Sequence, residues 1–248
     1  MTWVTVVIPC YNAGEDLKKA ILSVLHQSHP KIELIIQDAE SSDPITISIL
    51  QEFKDQCHIV VEKDNGIFDA FQKGIEKGKG DWIYLMGADD QLASEHVIQR
   101  LVQYEFGNQY DLILGTVENT HSVSQWIPKT FVSHLSWKMY WRNTIHQQGC
   151  IYRKSIFTRH PFRAQFKILG DYHLHLQLYL AKCKALTTSL TFAVCKADGL
   201  SKKFTWPLYQ EEIKIKLRLL PFPLNILTAF AAMAKFGLKK IIPRAIQQ

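Results

Sequence analysis

Cysteine is sparse in this 248-residue chain, and no cysteine pair has metal-binding spacing. The five cysteines form no CxxC pair, so a disulfide framework and a structural zinc site are both disfavoured. Residues 1–4 place no basic segment ahead of an apolar core, and we therefore expect no secretory signal peptide. These absences predict a reducing, cytoplasmic location.

Glycine-rich phosphate-binding motifs are also lacking. The sequence contains neither GxxxxGK[ST] nor GxGxxG. A P-loop and a Rossmann dinucleotide site are therefore disfavoured. Any phosphate group that the protein binds must be neutralised in another way.

Positive charge is concentrated at the C-terminal end. Residues 196–248 hold ten Lys or Arg and three Asp or Glu, whereas the preceding 195 residues hold 19 basic and 20 acidic residues. A nucleic-acid-binding protein more often carries positive charge on its main fold, so we expect no nucleic-acid partner. A basic tail interleaved with apolar residues predicts contact with an anionic membrane surface.

The C-terminal apolar segment is too interrupted to predict a spanning helix. Arg218, Pro221, Pro223 and Asn225 divide the apolar residues 217–234, and a spanning helix needs about 20 continuous residues. The sequence favours an interfacial helix that lies on a membrane surface, and the alternative is a helix pair that caps the core. The basic residues that follow are Lys235, Lys239, Lys240 and Arg244.

Strand and helix patterns alternate through the first 118 residues. Val4–Ile8 is an apolar β-branched run, and residues 17–25 carry apolar side chains at i, i+3, i+4, i+7 and i+8. Such alternation predicts an α/β fold with a mostly parallel central sheet flanked by helices. The other predicted strands are Ile32–Ile36, His58–Val61, Trp82–Met86, Asp111–Val117, Gln147–Tyr152 and Leu186–Val194, and the other predicted helices are Ile45–Phe53, Ile67–Lys77, Glu95–Tyr104 and Asp171–Ala181.

Acidic residues follow three consecutive predicted strands. Asp38, Asp64 and the pair Asp89–Asp90 stand after strand ends, and Asp171 opens a later helix. In open α/β sheets the carboxyl ends of the strands meet at the ligand site. Converging carboxylates repel one another unless a cation is present, and Mg²⁺ or Mn²⁺ shares such ligands with phosphates. The sequence therefore predicts a divalent metal at Asp89 and Asp90.

Several motifs resemble those of family 2 glycosyltransferases with the GT-A fold. They are VTVVIPCYN at 4–12, EKDNGIFDA at 62–70 and GDWIYLMGADD at 80–90, with His146-Gln147 and Gly170-Asp171-Tyr172 further on. The resemblance spans about residues 3–200 and is greatest to bacterial enzymes that build capsule, O-antigen or exopolysaccharide. It divides the chain into a catalytic domain at 1–205, with halves at 1–118 and 119–205, and a helical tail at 206–248.

The resemblance implies a nucleotide-sugar donor, a divalent metal and an inverting reaction. Asp171 would be the catalytic base and His146 an acceptor-side residue, while Asp89 and Asp90 would hold the metal. The acceptor would be a saccharide or a lipid-linked saccharide. The donor would be bound by Pro9, Tyr11, Asn12, Asp38, Asp64, Gly66, Asp69, Asp89 and Asp90.

The sequence departs from the family pattern at four places. Ala39-Glu40 stands where a glycine pair is common, and Gly87 replaces an Asn or Asp before Ala-Asp-Asp. Gln72 stands where Asn is frequent, and His173 stands where an acid is common. Glu40 adds negative charge near the nucleotide, and Gly87 removes a polar group from the metal motif.

Simpler roles remain open for individual residues. Each of the acids could cap a helix, and His146 could be a structural hydrogen-bonding residue. Trp126, Trp137 and Trp141 could stack on sugars or pack in the core. Lys202 and Lys203 could contact a diphosphate or be solvated.

We expect a metal-dependent inverting glycosyltransferase that uses a UDP- or GDP-type sugar. One alternative is a nucleotidyltransferase that makes the sugar nucleotide. That class uses a glycine-rich basic loop after the first strand, which residues 9–14 do not resemble. A second alternative is a non-catalytic membrane-bound scaffold with a degenerate site, for which Glu40 and Gly87 are the support.

Overall fold

The computed structural model describes residues 2–104, 109–120, 129–196 and 205–241. Within these ranges, nine strands form one sheet with helices on both faces. Trp126, Lys202, Lys203 and Arg244 lie outside the described residues. The strands are β1 Val4–Cys10, β2 Ile32–Asp38, β3 His58–Val61, β4 Trp82–Leu85, β5 Gln91–Leu92, β6 Leu112–Asn119, β7 Thr130–Val132, β8 Cys150–Arg153 and β9 Ala185–Cys195.

The helices alternate with strands in the first half and cluster in the second. Two further short 3₁₀ helices lie at Trp137–Tyr140 and Gln147–Gly149. The α-helices are α1 Glu15–Leu25, α2 Pro44–Phe53, α3 Ile67–Lys77, α4 Val97–Gln103, α5 Ser155–Arg159, α6 Gly170–Leu180, α7 Trp206–Leu219 and α8 Leu224–Ile241.

The first four strands form the parallel part of the sheet. Their spatial order is β3-β2-β1-β4, and all three pairings are parallel. Cys10 pairs with Asp38, and Val7 pairs with Leu85. The carboxyl ends of β1, β2 and β4 therefore lie along one edge, as the sequence predicts for a ligand site.

The rest of the sheet has mixed direction. The order continues β4-β8-β6-β9-β5, with β7 paired to β6. β8 runs antiparallel to both β4 and β6, while β6 and β9 are parallel with irregular register near Leu114 and Thr116. The 3₁₀ helix that precedes β8 is thereby brought beside β4.

Apolar side chains of β1 alternate between two cores. Val4, Val6 and Ile8 pack in the cluster that includes α1, α2 and α4, whereas Val7 packs in the cluster that includes α3 and α6. This alternation follows from the two-residue period of a strand. Gly74 lets α3 approach the sheet closely, because a Cβ there would lie 2.3 Å from Val7 Cγ1.

The tail is a helix pair, and α7 contributes more to the core than α8 does. Ile215 of α7 and Leu220, which follows it, are buried in the second cluster, whereas Leu224 of α8 is only partly buried against it. α8 packs on α7 through Phe236, whose ring centroid lies 4.8 Å from that of Trp206. Among the described helices, none combines the length and apolar composition needed to cross a bilayer.

The structure confirms the predicted alternation of strands and helices, with small changes at element ends. Predicted Gln147–Tyr152 begins as the 3₁₀ helix and becomes a strand only at Cys150. β5, β7 and α5 are not predicted from the sequence. Each is two to five residues long, which is too short for a periodic pattern to be recognised.

Candidate functional site

Asp38, at the end of β2, is held by its own loop. Its side chain is buried, and both carboxylate oxygens accept hydrogen bonds from Ser41, at 2.9 Å from the backbone N–H and 2.5 Å from the hydroxyl. The neighbouring Cys10 thiol has its pKa raised to about 12 by burial and by the Asp38 charge. Cys10 is therefore a neutral residue of the pocket wall.

Asn12 fastens the loop after β1 to the loop after β2. Its side-chain oxygen accepts hydrogen bonds from the N–H groups of Ser42 at 2.8 Å and Asp43 at 2.9 Å. Tyr11 beside it is exposed, and Pro9 is buried within β1. The predicted nucleotide residues of this loop thus include one exposed aromatic ring and one residue that shapes the loop.

The backbone conformation of Glu40 explains why glycine is common at this position in the family pattern. Its φ is 58°, in the left-handed region, where side chains other than glycine are disfavoured. The loop therefore keeps the path that glycine favours, although Glu40 replaces it. The exposed Glu40 carboxylate lies 3.9 Å from Lys63 Nζ.

The loop after β3 is also closed by bonds between near neighbours. Asp64 accepts a 2.7 Å hydrogen bond from the N–H of Gly66, and Asp69 accepts a 2.8 Å bond from the N–H of Asn65. Gly66 has φ of 110°, which strongly favours glycine. Lys167 reaches across from the segment before α6, and its ammonium donates to the carbonyl of Asn65.

The carboxylates of Asp89 and Asp90 occupy the space that a side chain at position 87 would need. A Cβ at Gly87 would lie 2.7 Å from an Asp90 oxygen and 2.9 Å from an Asp89 oxygen. Asp89 is exposed, whereas Asp90 is 4% exposed. Gly87 thus gives the two carboxylates room to converge.

Asp90 is held by a residue far away in sequence. Gln148 donates a 2.6 Å hydrogen bond from Nε2 to Asp90 Oδ2, and the Gln148 carbonyl accepts a 2.6 Å bond from the Tyr84 hydroxyl. Burial, followed by the charge of Asp89, raises the pKa of Asp90 to about 6. The sequence analysis did not identify Gln148, since an amide two residues after His146 forms no motif by itself.

The two carboxylates fit a cation that is shared with a phosphate. In the described ranges, no three His, Cys, Asp or Glu side chains are close enough to form a metal cage. Mg²⁺ is commonly held by one or two carboxylates together with substrate phosphates. A cation would also relieve the repulsion that raises the pKa of Asp90. The exposed Asp89 is the more accessible of the two ligands.

Asp171 begins α6 and is partly buried. Its Oδ2 accepts a 2.9 Å hydrogen bond from Asn143 Nδ2. Burial raises the pKa of Asp171 to about 6, although bonds from the backbone N–H groups of Tyr172 and Asp171 and from Asn143 act in the opposite direction. A carboxylate with such a pKa is charged at neutral pH and still able to take a proton.

Two close contacts join the start of α6 to the loop after β3. A Cβ at Gly170 would lie 2.5 Å from the Phe68 ring of α3. The Lys167 side chain passes Gly66, where an added Cβ would lie 3.4 Å from its Cδ. Asp171 is thus placed beside the loop that carries Gly66 and Asp69.

Glu211 of α7 caps the segment that leads into α6. Its carboxylate accepts hydrogen bonds from the N–H groups of Lys167 at 2.7 Å, Ile168 at 3.0 Å and Leu169 at 2.9 Å. This anchors the tail to the part of the chain that carries Asp171. Sequence analysis treated Glu211 only as one of the tail's few acids.

His146 lies between the residues that hold Asp171 and Asp90. Its N–H donates a 3.1 Å hydrogen bond to Ser133 Oγ, and its ring packs edge-on against Phe131 with centroids 5.7 Å apart. Residues 143–148 touch Asp171 at one end and Asp90 at the other. The predicted acceptor-side residue is therefore part of the segment that links the two acids.

Comparison with known proteins identifies the family and the fold. The sequence profile described as "Glycosyl transferase family 2" matches residues 5–180. A PGL/p-HBAD biosynthesis glycosyltransferase of Mycobacterium bovis is 25% identical over 71% of this chain and 69% of its own. The putative teichuronic acid biosynthesis glycosyltransferase TuaG of Bacillus subtilis is 33% identical over 40% of each chain.

Solved structures support the predicted GT-A fold. S. aureus TarS 1-349 in complex with UDP-GlcNAc superimposes with a TM-score of 0.71 at 15% identity, over 99% of this chain and 78% of that one. A mannosyltransferase from Pyrobaculum calidifontis in complex with GDP-Man and Mn²⁺ gives 0.66 at 16% identity, over 96% and 70%. This chain spans 44% of the longer TarS chain. With a profile match over most of its length, the chain belongs to glycosyl transferase family 2.

Proposed function

We propose that this protein is a metal-dependent inverting glycosyltransferase that moves a sugar from a UDP- or GDP-type donor to a saccharide or lipid-linked saccharide. The observation that carries the proposal is the arrangement of Asp171. Asp171 is a half-buried residue in the first turn of α6, and this turn lies beside the Gly66 loop. Burial raises the pKa of its carboxyl group to about 6. The product is proposed to enter a bacterial cell-surface polysaccharide, and the similarity to a putative teichuronic acid biosynthesis glycosyltransferase supports a biosynthetic role of this kind.

In the proposed reaction Asp171 takes the proton of the acceptor hydroxyl as its oxygen attacks the anomeric carbon. The bond from that carbon to the nucleoside diphosphate breaks, and attack from the opposite face inverts the centre. A general base contributes on the order of 10²–10⁴-fold.

The donor would be bound along the ends of β1 to β4. Tyr11 and Asp38 are proposed for the nucleotide, with Pro9 and Asn12 shaping its pocket, and the Asp64–Asp69 loop closes the same edge. Asp89, supported by Asp90, is proposed to hold Mg²⁺ or Mn²⁺. Such a cation supplies charge stabilisation to the departing diphosphate.

A donor screen tests this proposal. UDP-, GDP- and dTDP-sugars would be incubated with Mn²⁺ and with free or polyprenyl-linked monosaccharides, and nucleoside diphosphate release and glycosylated product measured. We expect one donor to give product and the Asp89→Ala protein to give none. Full activity of that variant would refute the metal assignment.

Calorimetry with UDP, with and without Mn²⁺, separates an enzyme from a scaffold. We expect Mn²⁺ to strengthen UDP binding to the unmodified protein. A scaffold with a degenerate site would show no metal-linked nucleotide binding. Formation of a sugar nucleotide from a sugar phosphate would instead favour the nucleotidyltransferase.

We also propose that α8 lies on an anionic membrane surface, on the cytoplasmic side of a bacterial membrane. Five apolar side chains of α8 are 50% to 70% exposed. Exposed basic residues Lys214 and Arg218 of α7 lie on the adjoining helix. This combination of an apolar face with excess positive charge suits an interfacial helix. The α8 apolar face consists of Ile226, Leu227, Phe230, Met233 and Leu238.

Vesicle co-sedimentation tests the membrane proposal. The double variant Phe230→Ser/Met233→Ser should bind phosphatidylglycerol-containing vesicles about 10-fold or more weakly, since each exposed apolar side chain contributes about 1.5–3 kcal/mol when buried. Ile45→Ser/Ile47→Ser on α2 is the control and should bind normally. If the two variants bound the vesicles equally well, the proposal would be contradicted. It would also be contradicted if the unmodified protein formed dimers through α8 and did not bind vesicles.

A further inference from the structure

A line of buried hydrogen bonds runs from β8 to Asp171. The Tyr152 hydroxyl lies 2.6 Å from His175 Nε2, and His175 Nδ1 lies 3.0 Å from Asn143 Oδ1. Asn143 Nδ2 then donates to Asp171 Oδ2 at 2.9 Å. Tyr152 and His175 are fully buried, so no bulk water replaces these bonds.

The partners fix the direction of every bond in this line. Asn143 Oδ1 also accepts a 3.2 Å bond from the N–H of Ile145, which identifies it as the carbonyl oxygen. Its other partner, His175 Nδ1, must therefore carry the proton. The neutral ring leaves Nε2 to accept from the Tyr152 hydroxyl, and burial keeps it neutral by lowering the pKa of His175 to about 3.

The line has a consequence for the Asn143 side chain. If its amide were reversed, an N–H group would face the N–H of Ile145, and its oxygen would face the Asp171 carboxylate. Both contacts would be repulsive, so only one amide orientation is stable. The N–H directed at Asp171 is thus set by residues that do not themselves bond to it.

We propose, on the basis of the glycosyl-transfer function above, that Asn143, locked by His175 and Tyr152, is a positioning residue that holds Asp171 in the orientation that receives the acceptor proton. Asp171 and His175 are four residues apart and share one face of α6. Asn143 comes from another part of the chain and bonds to both. This arrangement ties the base to the rigid core instead of to a loop.

A purely structural explanation accounts poorly for two fully buried polar side chains, Tyr152 and His175. Tyr152 belongs to the same apolar cluster as Leu174, Leu176 and Phe157, where an apolar side chain could fill the volume without a need for partners. Buried polar groups reduce stability unless they are bonded, and here the bonds form one line that ends at Asp171. Three electrostatic interactions affect the pKa values along this line. Glu211 acts on Asp171, Asp171 acts on Tyr152, and His146 acts on His175.

The test compares two substitutions of His175. His175→Asn places an amide N–H close to the position of Nδ1 and keeps a donor for Asn143, whereas His175→Leu has similar size and no donor. With the donor sugar and acceptor identified by the screen, kcat, donor KM and the pH profile of kcat/KM would be measured. Gln177→Leu, an amide on the same helix, is the control.

We expect His175→Leu and Asn143→Leu to lower kcat about 10-fold or more with little change in donor KM. The acidic limb of the profile should move to higher pH in both, because Asp171 loses a stabilising hydrogen bond. His175→Asn should restore most of the unmodified profile. Tyr152→Phe, which keeps the packing, should shift the limb in the same direction by less.

A merely structural role gives a different result. It would lower thermal stability in all variants and leave the acidic limb unmoved, and this result would overturn the proposal. If His175→Leu fails to fold, UDP calorimetry will show it, and Tyr152→Phe and His175→Asn then decide. Full transfer by Asp171→Asn would instead overturn the proposed function itself.

Discussion

The acids of the two halves of the molecule are held in different ways. In the first half, Asp38, Asp64 and Asp69 are bonded by residues two to four positions away. At the junction with the second half, Asp90 is held by Gln148, 58 residues away, and Asp171 by Asn143, 28 residues away. Short-range bonds shape a loop, while long-range bonds make a carboxylate depend on the whole fold.

This difference matches the proposed chemistry. The donor-side acids are bonded within their own loops, where a nucleotide is proposed to bind. Asp90 and Asp171 are the two acids in the site whose pKa is raised to about 6 by burial. Burial of that kind requires elements from distant parts of the sequence to close around the group.

The largest expected effect is that of Asp171→Asn. Transfer should fall on the order of 10²–10⁴-fold, since the base is lost while the shape is kept. In the unmodified protein, activity should fall as the pH drops below about 6, where Asp171 becomes protonated. Steady-state assays across pH 5–8 measure the loss of transfer in the variant and the pH dependence of the unmodified protein. Undiminished transfer by this variant would contradict the assignment of the base.

The same variant should be more stable than the unmodified protein at neutral pH. Because burial raises the pKa of Asp171, the folded state holds its proton more strongly than the unfolded state, so stability falls as pH rises from about 4 to 6. Removing the charge should recover up to about 3 kcal/mol, since one pKa unit corresponds to about 1.4 kcal/mol. Urea unfolding at pH 4.5 and 7 would measure this difference, which should be smaller at the lower pH.

Gly87→Ala comes next and tests the junction. Its Cβ would meet both carboxylates at under 3 Å, and Asp90 has little room to move because Gln148 holds it. We expect Mn²⁺-linked UDP affinity to fall about 10-fold, an effect of about 1.4 kcal/mol. Gly237→Ala, with no atom near the new Cβ, is the control for calorimetry. Equal affinities would show that the carboxylates do not converge there.

Glu211→Ala tests the long-range type of support directly. Three backbone N–H groups lose their acceptor, and we expect the free energy of unfolding to fall by about 2 kcal/mol and kcat to fall with it. Ser41→Ala is the short-range counterpart. It removes the hydroxyl bond to Asp38 and the acceptor of the Asn12 N–H, and should cost about 1–2 kcal/mol and raise donor KM more than it lowers kcat. If both variants changed kcat and KM alike, the comparison between halves would fail.

The smallest effect is that of Glu40→Gly. Relief of the left-handed backbone should stabilise the fold by about 1 kcal/mol. Donor KM should also fall a few-fold, because a negative charge leaves the proposed nucleotide pocket. Lys182→Gly, at φ of 55° after α6, should give a similar stability gain with no change in KM. An identical KM in both variants would place Glu40 away from the donor.

The donor-side half could be predicted from sequence in much detail. Alternating strands and helices, and the acids at strand ends, follow from periodicity and from the rule for parallel sheets. The tail was predicted less completely. α7 caps the core as in the alternative interpretation, and α8 exposes the apolar face on which the membrane proposal rests. The sequence alone could not assign the two helices to different roles.

The sequence by itself determined the alternation of strands and helices in the first half and the acids that follow three of its strands. These features depend on interactions between residues a few positions apart, which can be recognised from the sequence. Only the tertiary structure decided that Gln148 bonds to Asp90 and that Glu211 caps the start of α6. It also decided that Asn143 bonds to both Asp171 and His175. Those contacts join residues 28 to 58 positions apart, and they depend on how β8, α6 and α7 pack, which no local pattern specifies.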